Sequence, residues 1–342
     1  MDAINIDSIR KDIENTKAGW QAKDHEFLDR SPEELKRRLG VIPHPEMLER
    51  LRALPRPDIV QIIADFKGLN IKENAGSILL NEKTIEIIAN LLLFSDEDPA
   101  ATSQMMADPR MMTIRNLKIS PFPYFPIFWQ VDWRNRKGKN YVTPVKDQGY
   151  CGSCVSFGTT ATLESMVLIE HNVGLDLSEA ELLFCGGGSC GGWWPDNAVN
   201  YLNNKGISHE TCFPYQDHNM ACNTCSQRDN EAVKITKNVV LWDVAQRKQY
   251  LRAVGPVMCV FEVYNDFFAY SSGVYSHVSG GLAGLHCVEV IGYNELGGYW
   301  ICKNSWGTGW GDGGYFNITY GQCGIDSTYP FWGIGGTKWY LP

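Results

Sequence analysis

The sequence predicts an α+β protein. A helical half is followed by a β-rich half, and a mostly helical region stands in front of both. Three observations carry this expectation. Residues 142–164 start extended, turn at Gln148-Gly149, cross Cys151-Gly152-Ser153-Cys154, and continue as a helix to about Glu170 with Leu163, Val167 and Ile169 among its apolar positions. From Val239 onward, apolar and aromatic residues come in short runs broken by glycines, a strand pattern. Residues 1–118 hold none of the eleven cysteines, four of the 33 glycines and one of the eleven tryptophans, so two separately built units are expected.

The chain has 342 residues, 44% of them hydrophobic and 20% charged, which suits a soluble globular protein of two or three domains. Its net charge of −8 and the lack of a basic run argue against a nucleic-acid partner. No run approaches the roughly 18 apolar residues of a membrane span. The N-terminus has no apolar core of the kind a secretory signal needs. Cysteine concentrated after residue 150 points to an oxidising compartment, with reduced buried thiols as the alternative.

A cysteine in the first turn of a helix meets unpaired N–H groups and the positive end of the helix dipole. Both favour the thiolate, the nucleophilic form. Gly152 removes bulk beside the sulfur. Cys154 is followed by Leu285-His286-Cys287 and then by Lys303-Asn304-Ser305-Trp306-Gly307. This order resembles the papain-like cysteine proteases, whose His and Asn lie about 130–150 residues beyond the cysteine. The resemblance covers residues 125–342 strongly and 5–40 moderately, and is closest in feel to cathepsin B-like enzymes. It implies a papain-like two-lobe fold: a helical left lobe, a β-barrel-like right lobe and an N-terminal, mostly helical pro-region.

It also implies the roles. Cys154 is the nucleophile, His286 its acid–base partner, and Asn304 orients the imidazole. Gln148 and the Cys154 N–H form the oxyanion hole, and Trp306 shields the His–Asn contact. Cys154 is expected as a thiolate beside an imidazolium. The Gly-rich loop 186–195 offers backbone groups through Gly192 and Trp193, so that a peptide binds as an added strand. Pro195, Val257 and Thr328 match positions around an apolar pocket for the residue before the cleaved one. Val155 replaces the usual aromatic after the nucleophile. Trp193 replaces a loop glycine and is expected to narrow or reshape the cleft.

The pairings Cys151–Cys190, Cys185–Cys222 and Cys212–Cys225 follow from the same resemblance, leaving Cys259, Cys287, Cys302 and Cys323 as buried thiols. A zinc site on Cys212 and Cys222 to Cys225 lacks a fourth ligand apart from His218. No metal or organic cofactor is needed. The loop lacks the strand-before, helix-after context of a phosphate loop. Ser178 with Glu181 fits a capping box. The segment 212–215 resembles cathepsin B. However, the following insertion and its His pair are nearly missing apart from His218, so endopeptidase activity is expected. His277 is read as structural. His286 is expected to open a strand to Tyr293, with Asn304 ending the strand from Tyr299. Asn317-Ile318-Thr319 matches a glycosylation sequon.

Three segments result: 1–44, a cathepsin B-like propeptide; 45–120, a helical extension and linker; and 121–342, the peptidase domain. Residues 5–18 look helical, and Trp20, Ala22 and Phe27 fit the short pro-region. Ser31-Pro32-Glu33-Glu34 reads as a helix start running to Leu39 and stopping at Gly40. In the resembled family this segment lies in the cleft, reversed relative to substrate. A removable inhibitor is favoured over a permanent structural cap. Helical runs follow at 58–67 and 82–94, then Met105, Met106, Met111 and Met112, which fill core gaps or form a binding surface. This addition enlarges the cap or docks a partner. Pro121, Pro123 and Pro126 make 119–128 extended, a candidate activation-cleavage site. The expected partners are peptide or protein substrates and the chain's own pro-region, with a monomeric state. The expected setting is secreted or endolysosomal/vacuolar. Competing readings are a papain-fold transpeptidase or ligase and a catalytically silent peptide-binding homologue.

Overall fold

The computed structural model describes residues 4–68 and 130–339. The N-terminal region opens with α1 (Ile6–Thr16), capped by the Asn5 side chain and ended by Lys17 in the left-handed conformation. Next is β1 (Trp20–Ala22). Then comes α2 (Pro32–Lys36), where Ser31 and Glu34 exchange both capping-box hydrogen bonds. This helix stops at Lys36, three residues earlier than expected. Turn bonds from the Arg38 N–H to Leu35 and from the Leu39 N–H to Lys36 complete it, and they release the chain into an extended run. Two more helices follow, α3 (Pro45–Ala53) and α4 (Ile59–Phe66). The second helical run at 82–94, the methionine stretch and the extended linker at 119–128 lie outside the described residues.

The body begins with β2 (Gln130–Asp132). The helical lobe is built on α5 (Cys154–His171), buried along most of its length. Around it lie a π-helical turn (Glu181–Cys185), α6 (Pro195–Asn204) and the short α7 (Arg228–Glu231). The three disulfides are Cys151–Cys190, Cys185–Cys222 and Cys212–Cys225. Each such bridge contributes about 2–4 kcal/mol. The sulfurs proposed as zinc ligands are thus committed to these bonds. Cys259, Cys287, Cys302 and Cys323 are free and buried. Ser178 Oγ accepts the Glu181 N–H, but the Glu181 carboxylate turns to Arg228 and Ser208, so only half the expected capping box forms.

The β-rich lobe contributes β3 (Lys237–Leu241), α8 (Val244–Ala253), β4 (Val257–Tyr264) and β5 (Tyr270–Tyr275). It continues with β6 (Leu282–Asn294), β7 (Tyr299–Lys303), β8 (Tyr315–Thr319) and β9 (Phe331–Gly335). The strand order is β1-β5-β8-β7-β6-β4-β9-β3, with β2 on β6. Pairing is antiparallel apart from the parallel β5–β8 pair. β6 begins four residues before His286, so the histidine sits inside a paired strand rather than at its start.

The N-terminal region is part of this core. β1 extends the sheet at β5, and Trp20, 3% exposed, packs edge-on against Tyr275 while its indole N–H bonds Ser276 O. Further along, α3 and α4 lie on the β-rich lobe. The Trp242 indole N–H bonds Leu51 O, Gln246 bonds Pro57 O, and Phe66 packs edge-on against Tyr250. Residues 45–67 are thus packed against the β-rich lobe.

Replacing Trp20 with Ala should cost about 3–5 kcal/mol of docking energy. Limited proteolysis of the full chain should then cut the N-terminal region ahead of the rest. An unchanged cleavage rate would show that β1 is not an anchor.

Candidate active site

Two lobes meet at the first turn of α5. Cys154 opens that helix and is fully buried. His286 lies in β6, in register with Phe261 of β4, and the edge of its ring meets the Phe261 ring. His286 Nε2 lies 2.8 Å from Asn304 Oδ1, on the residue just after β7. Trp306 stacks beside the ring at 4.8 Å and is 2% exposed. The other ring nitrogen, Nδ1, is buried without a hydrogen-bond partner, as is Asn304 Nδ2. Gln148 is held rigidly: its Oε1 accepts from Ser305 Oγ at 2.7 Å, and its Nε2 donates to Cys151 O at 2.8 Å. Phe261, Phe267, Phe316 and Trp310 pack beneath this layer.

The space over the cysteine is filled by residues 38–42. Gln148 Nε2 also donates to Arg38 O at 3.1 Å, and the Gly40 N–H donates to Cys154 Sγ at 3.2 Å. Gly40 O accepts from the Trp193 N–H at 2.7 Å, and the Ile42 N–H bonds Trp193 O at 3.0 Å. On the other wall, the Val41 N–H reaches Leu285 O, and Leu39 lies over Gly284. The segment pairs with Trp193 in parallel. A Cβ on Gly40 would lie 1.8 Å from Gly152 O, so this backbone-to-backbone approach demands glycine. The sequence pointed to Gly40 as a helix stop, but the close approach is its larger task.

Trp193 does not fill the cleft. It is 5% exposed, with its indole against Gly186 and Gly188, where a Cβ would come within 3 Å of the ring. Only its backbone faces the cleft, beside Gly192 at φ +119. Pro195 starts α6 and is buried. Thr328 O accepts from Arg52 of α3 at 3.2 Å.

Val257 is a correction. β4 runs without irregularity from Val257 to Val263, so Val257 shares the face of Phe261, which points into the barrel. The β4 residue beside Thr328 and Gly324 is Glu262, on the opposite face. The alignment placed Val257 correctly in the strand, but side-chain alternation sends it inward. Val155 is fully buried in the core and displaces no site residue. Sequence reasoning missed Arg38, Asp147, Tyr150 and Ser305. A second absent signal is the junction network, where Lys146 pairs with Glu164 at 3.0 Å and Glu179 at 2.8 Å.

Charge at the site differs from expectation. Burial pushes the Cys154 thiol up to about 11, against the pull of N–H groups from Cys287, Gly40 and its own helix turn. Burial also holds His286 down to about 4; its bond to Asn304 opposes this, and the Arg38 guanidinium adds to it. Burial thus disfavours the charged form of both groups, against the expected ion pair. Desolvation by the N-terminal segment outweighs the helix-terminus effect. His25 of the same region is likewise lowered by burial, against its bond to Tyr270 O.

A basic group lowered in the closed state stabilises that state above its free pKa, and the stabilisation is lost as protons bind. Both His25 and His286 are lowered from the ordinary 6.5, so closure should weaken as pH falls below about 6.5, with the His286 contribution lost by about 4. Thiol labelling of the full chain should accelerate over that range, and His25→Gln should reduce the slope. A pH-independent rate would contradict this. Gly40→Ala should admit a thiol reagent to Cys154 in the uncleaved chain near neutral pH, where the wild type is protected. Continued protection would show that the Gly40–Gly152 contact does not hold the segment in place.

Comparison with known proteins agrees with this arrangement. Residues 128–331 match the family described as papain family cysteine protease. Mouse pro-cathepsin H is 42% identical over 214 residues, covering 58% of this chain and 64% of that protein. Thiol protease aleurain of Arabidopsis thaliana is 37% identical over 213 residues, covering 58% of this chain and 59% of that protein. The chain thus spans less than two thirds of these relatives' length. Procathepsin B S9 from Trypanosoma congolense superposes with TM-score 0.68 at 22% identity, covering 97% of this chain and 98% of that one, a likeness of fold that includes the N-terminal region. The Carica candamarcensis cysteine protease CMS1MS2, solved with E-64, has TM-score 0.54 at 33% identity over 60% of this chain and 98% of its own. With residues 128–331, more than half of its length, matching that family, the chain belongs to the papain family of cysteine proteases.

Proposed function

We propose that this protein is the inhibited precursor of a cysteine endopeptidase, held closed by its own N-terminal region. One observation carries the reading. A peptide carbonyl, Arg38 O, sits on the Gln148 amide while the adjoining backbone covers the Cys154 sulfur. This is where a substrate carbonyl must lie for attack. The segment escapes cleavage because it runs parallel to the Trp193 rung, opposite to the direction inferred for substrate.

On removal of the segment, water returns and favours thiolate and imidazolium. Cys154 attacks the carbonyl, and the oxyanion is met by Gln148 Nε2 and the Cys154 N–H. His286 gives its proton to the leaving amine, and the thioester is hydrolysed by water that His286 activates. Asn304 keeps the ring in plane throughout, under the cover of Trp306. Gly192, Trp193, Pro195 and Thr328 line the side of the cleft that takes the acyl half of the substrate. Glu262 beside Thr328 tempers the apolar preference there.

The division into residues 1–44, 45–120 and 121–342 is our working map of propeptide, extension and peptidase. A cathepsin B-like character rests on the fold likeness to procathepsin B S9, whereas the sequence relatives are pro-cathepsin H and aleurain. A lone His218 in place of a His pair favours internal cuts over release of dipeptides. Three disulfides favour a secreted or endolysosomal/vacuolar setting. Among the described residues, no helix is long and apolar enough to cross a membrane.

An epoxide inhibitor should label Cys154 only after the N-terminal region is removed, and peptide cleavage should appear in parallel. Gln148→Ala should lower kcat by about 10²–10³ while leaving labelling detectable. Absence of labelling in both states would favour a silent binding homologue. Dipeptide release in preference to internal cuts would refute the endopeptidase reading.

A further inference from the structure

The Arg38 side chain makes contacts that inhibition by its backbone does not require. Its guanidinium is 5% exposed, 2.8 Å from Asp147 Oδ1 and 4.7 Å from the centre of the Tyr150 ring. Arg30 lies over the same ring at 5.5 Å. Asp217 stands behind it, accepting the Tyr150 N–H at 3.3 Å, and Gly149 at φ +58 lets that carboxylate come close. Asp147 and Asp217 thus flank an aromatic face that two guanidinium groups of the N-terminal region cover. All of these recipient residues remain when that region leaves.

Their place relative to the scissile bond follows from the backbone. Gly40 and Ile42 bond Trp193, on the wall that takes the acyl half of a substrate. The chain crosses the sulfur between Gly40 and Arg38. Arg38 therefore lies on the far side, where the leaving fragment of a substrate sits.

We infer that Asp147 and Tyr150, backed by Asp217, form a subsite for a basic side chain one or two residues beyond the cleaved bond. Arg38 occupies it as a built-in mimic of the substrate. The inference rests on the proteolytic reading above. A guanidinium between a carboxylate and a ring face is favoured by both charge and cation–π attraction. Asp147 is half exposed, so the gain is that of a partly screened pair.

The test uses the full chain after its N-terminal region has been cleaved away, with peptides identical except for Arg, Gln or Glu at the first two leaving-group positions. The ratio of kcat/KM for Arg over Gln should be roughly three- to tenfold at one of them, smaller at high salt. Asp147→Asn should bring that ratio toward one. Tyr150→Ser should reduce it. Asp147→Lys should invert the Arg-to-Glu order, which a merely structural defect cannot do. Ratios near one in the wild type, or a preference unchanged in Asp147→Asn and not inverted in Asp147→Lys, would overturn the subsite while leaving epoxide labelling and cleavage intact. Loss of both labelling and cleavage in the wild type would overturn the proteolytic reading and the subsite with it.

Discussion

Two glycines facing one another decide the state of this molecule. Gly40 can reach the sulfur of Cys154 only because neither it nor Gly152 carries a side chain, and a single methyl group on Gly40 would overlap Gly152 O. That approach places an N–H on the sulfur and a carbonyl on Gln148, and it expels water from both. The anchoring contacts of the N-terminal region, from β1 on β5 to α4 on α8, hold this segment against the cleft.

Dehydration then governs the chemistry. The ends of helices and the ladders of strands supply an oriented cysteine, histidine and amide in either state. The charge separation that makes the sulfur reactive depends on solvent and on the neighbouring cation. In the closed form, burial raises the thiol and lowers the imidazole, and the Arg38 guanidinium disfavours a second positive charge nearby. The inhibitor thus acts by filling space and also by disfavouring the ion pair. This explains how an intact nucleophile and its partner are stored together without reacting.

The lobe junction shows how such a site is kept rigid. Lys146 bridges buried Glu164 and Glu179, and Lys303 stands near buried Glu289. Ser165 Oγ of α5 donates to Glu289, and Thr143 Oγ1 donates to Glu164 while accepting from Lys303, so these bonds tie the helical lobe to the β-rich one. They also support the loop that carries Gln148, whose amide is clamped by Ser305 from the opposite lobe. The Gln148 amide is therefore positioned by both halves of the protein at once.

Much of this was legible in the sequence because it depends on local order or on well-spaced signatures. The start of α5 at Cys154 and the Ser31–Glu34 capping box follow from residue type and interval, whereas the disulfide partners and the His286–Asn304 pair came from the family resemblance. The misreadings share one physical origin. Val257 was assigned to the cleft, but strand alternation turns it into the barrel, and the Trp193 indole, expected to narrow or reshape the cleft, packs on Gly186 and Gly188 and leaves only its backbone along it. The Arg38–Asp147 pair links residues 109 apart in sequence, with no spacing rule to announce it.

Residue order and local patterning were enough to name Cys154, His286 and Asn304 as candidates and to place the start of the helix and the end of the strand beside them. The meeting of remote segments sets how deeply Cys154 and His286 are buried and which surface of each strand faces the cleft. Those outcomes depend on burial and on charges brought in from distant segments, and no local pattern encodes the water that a remote segment displaces.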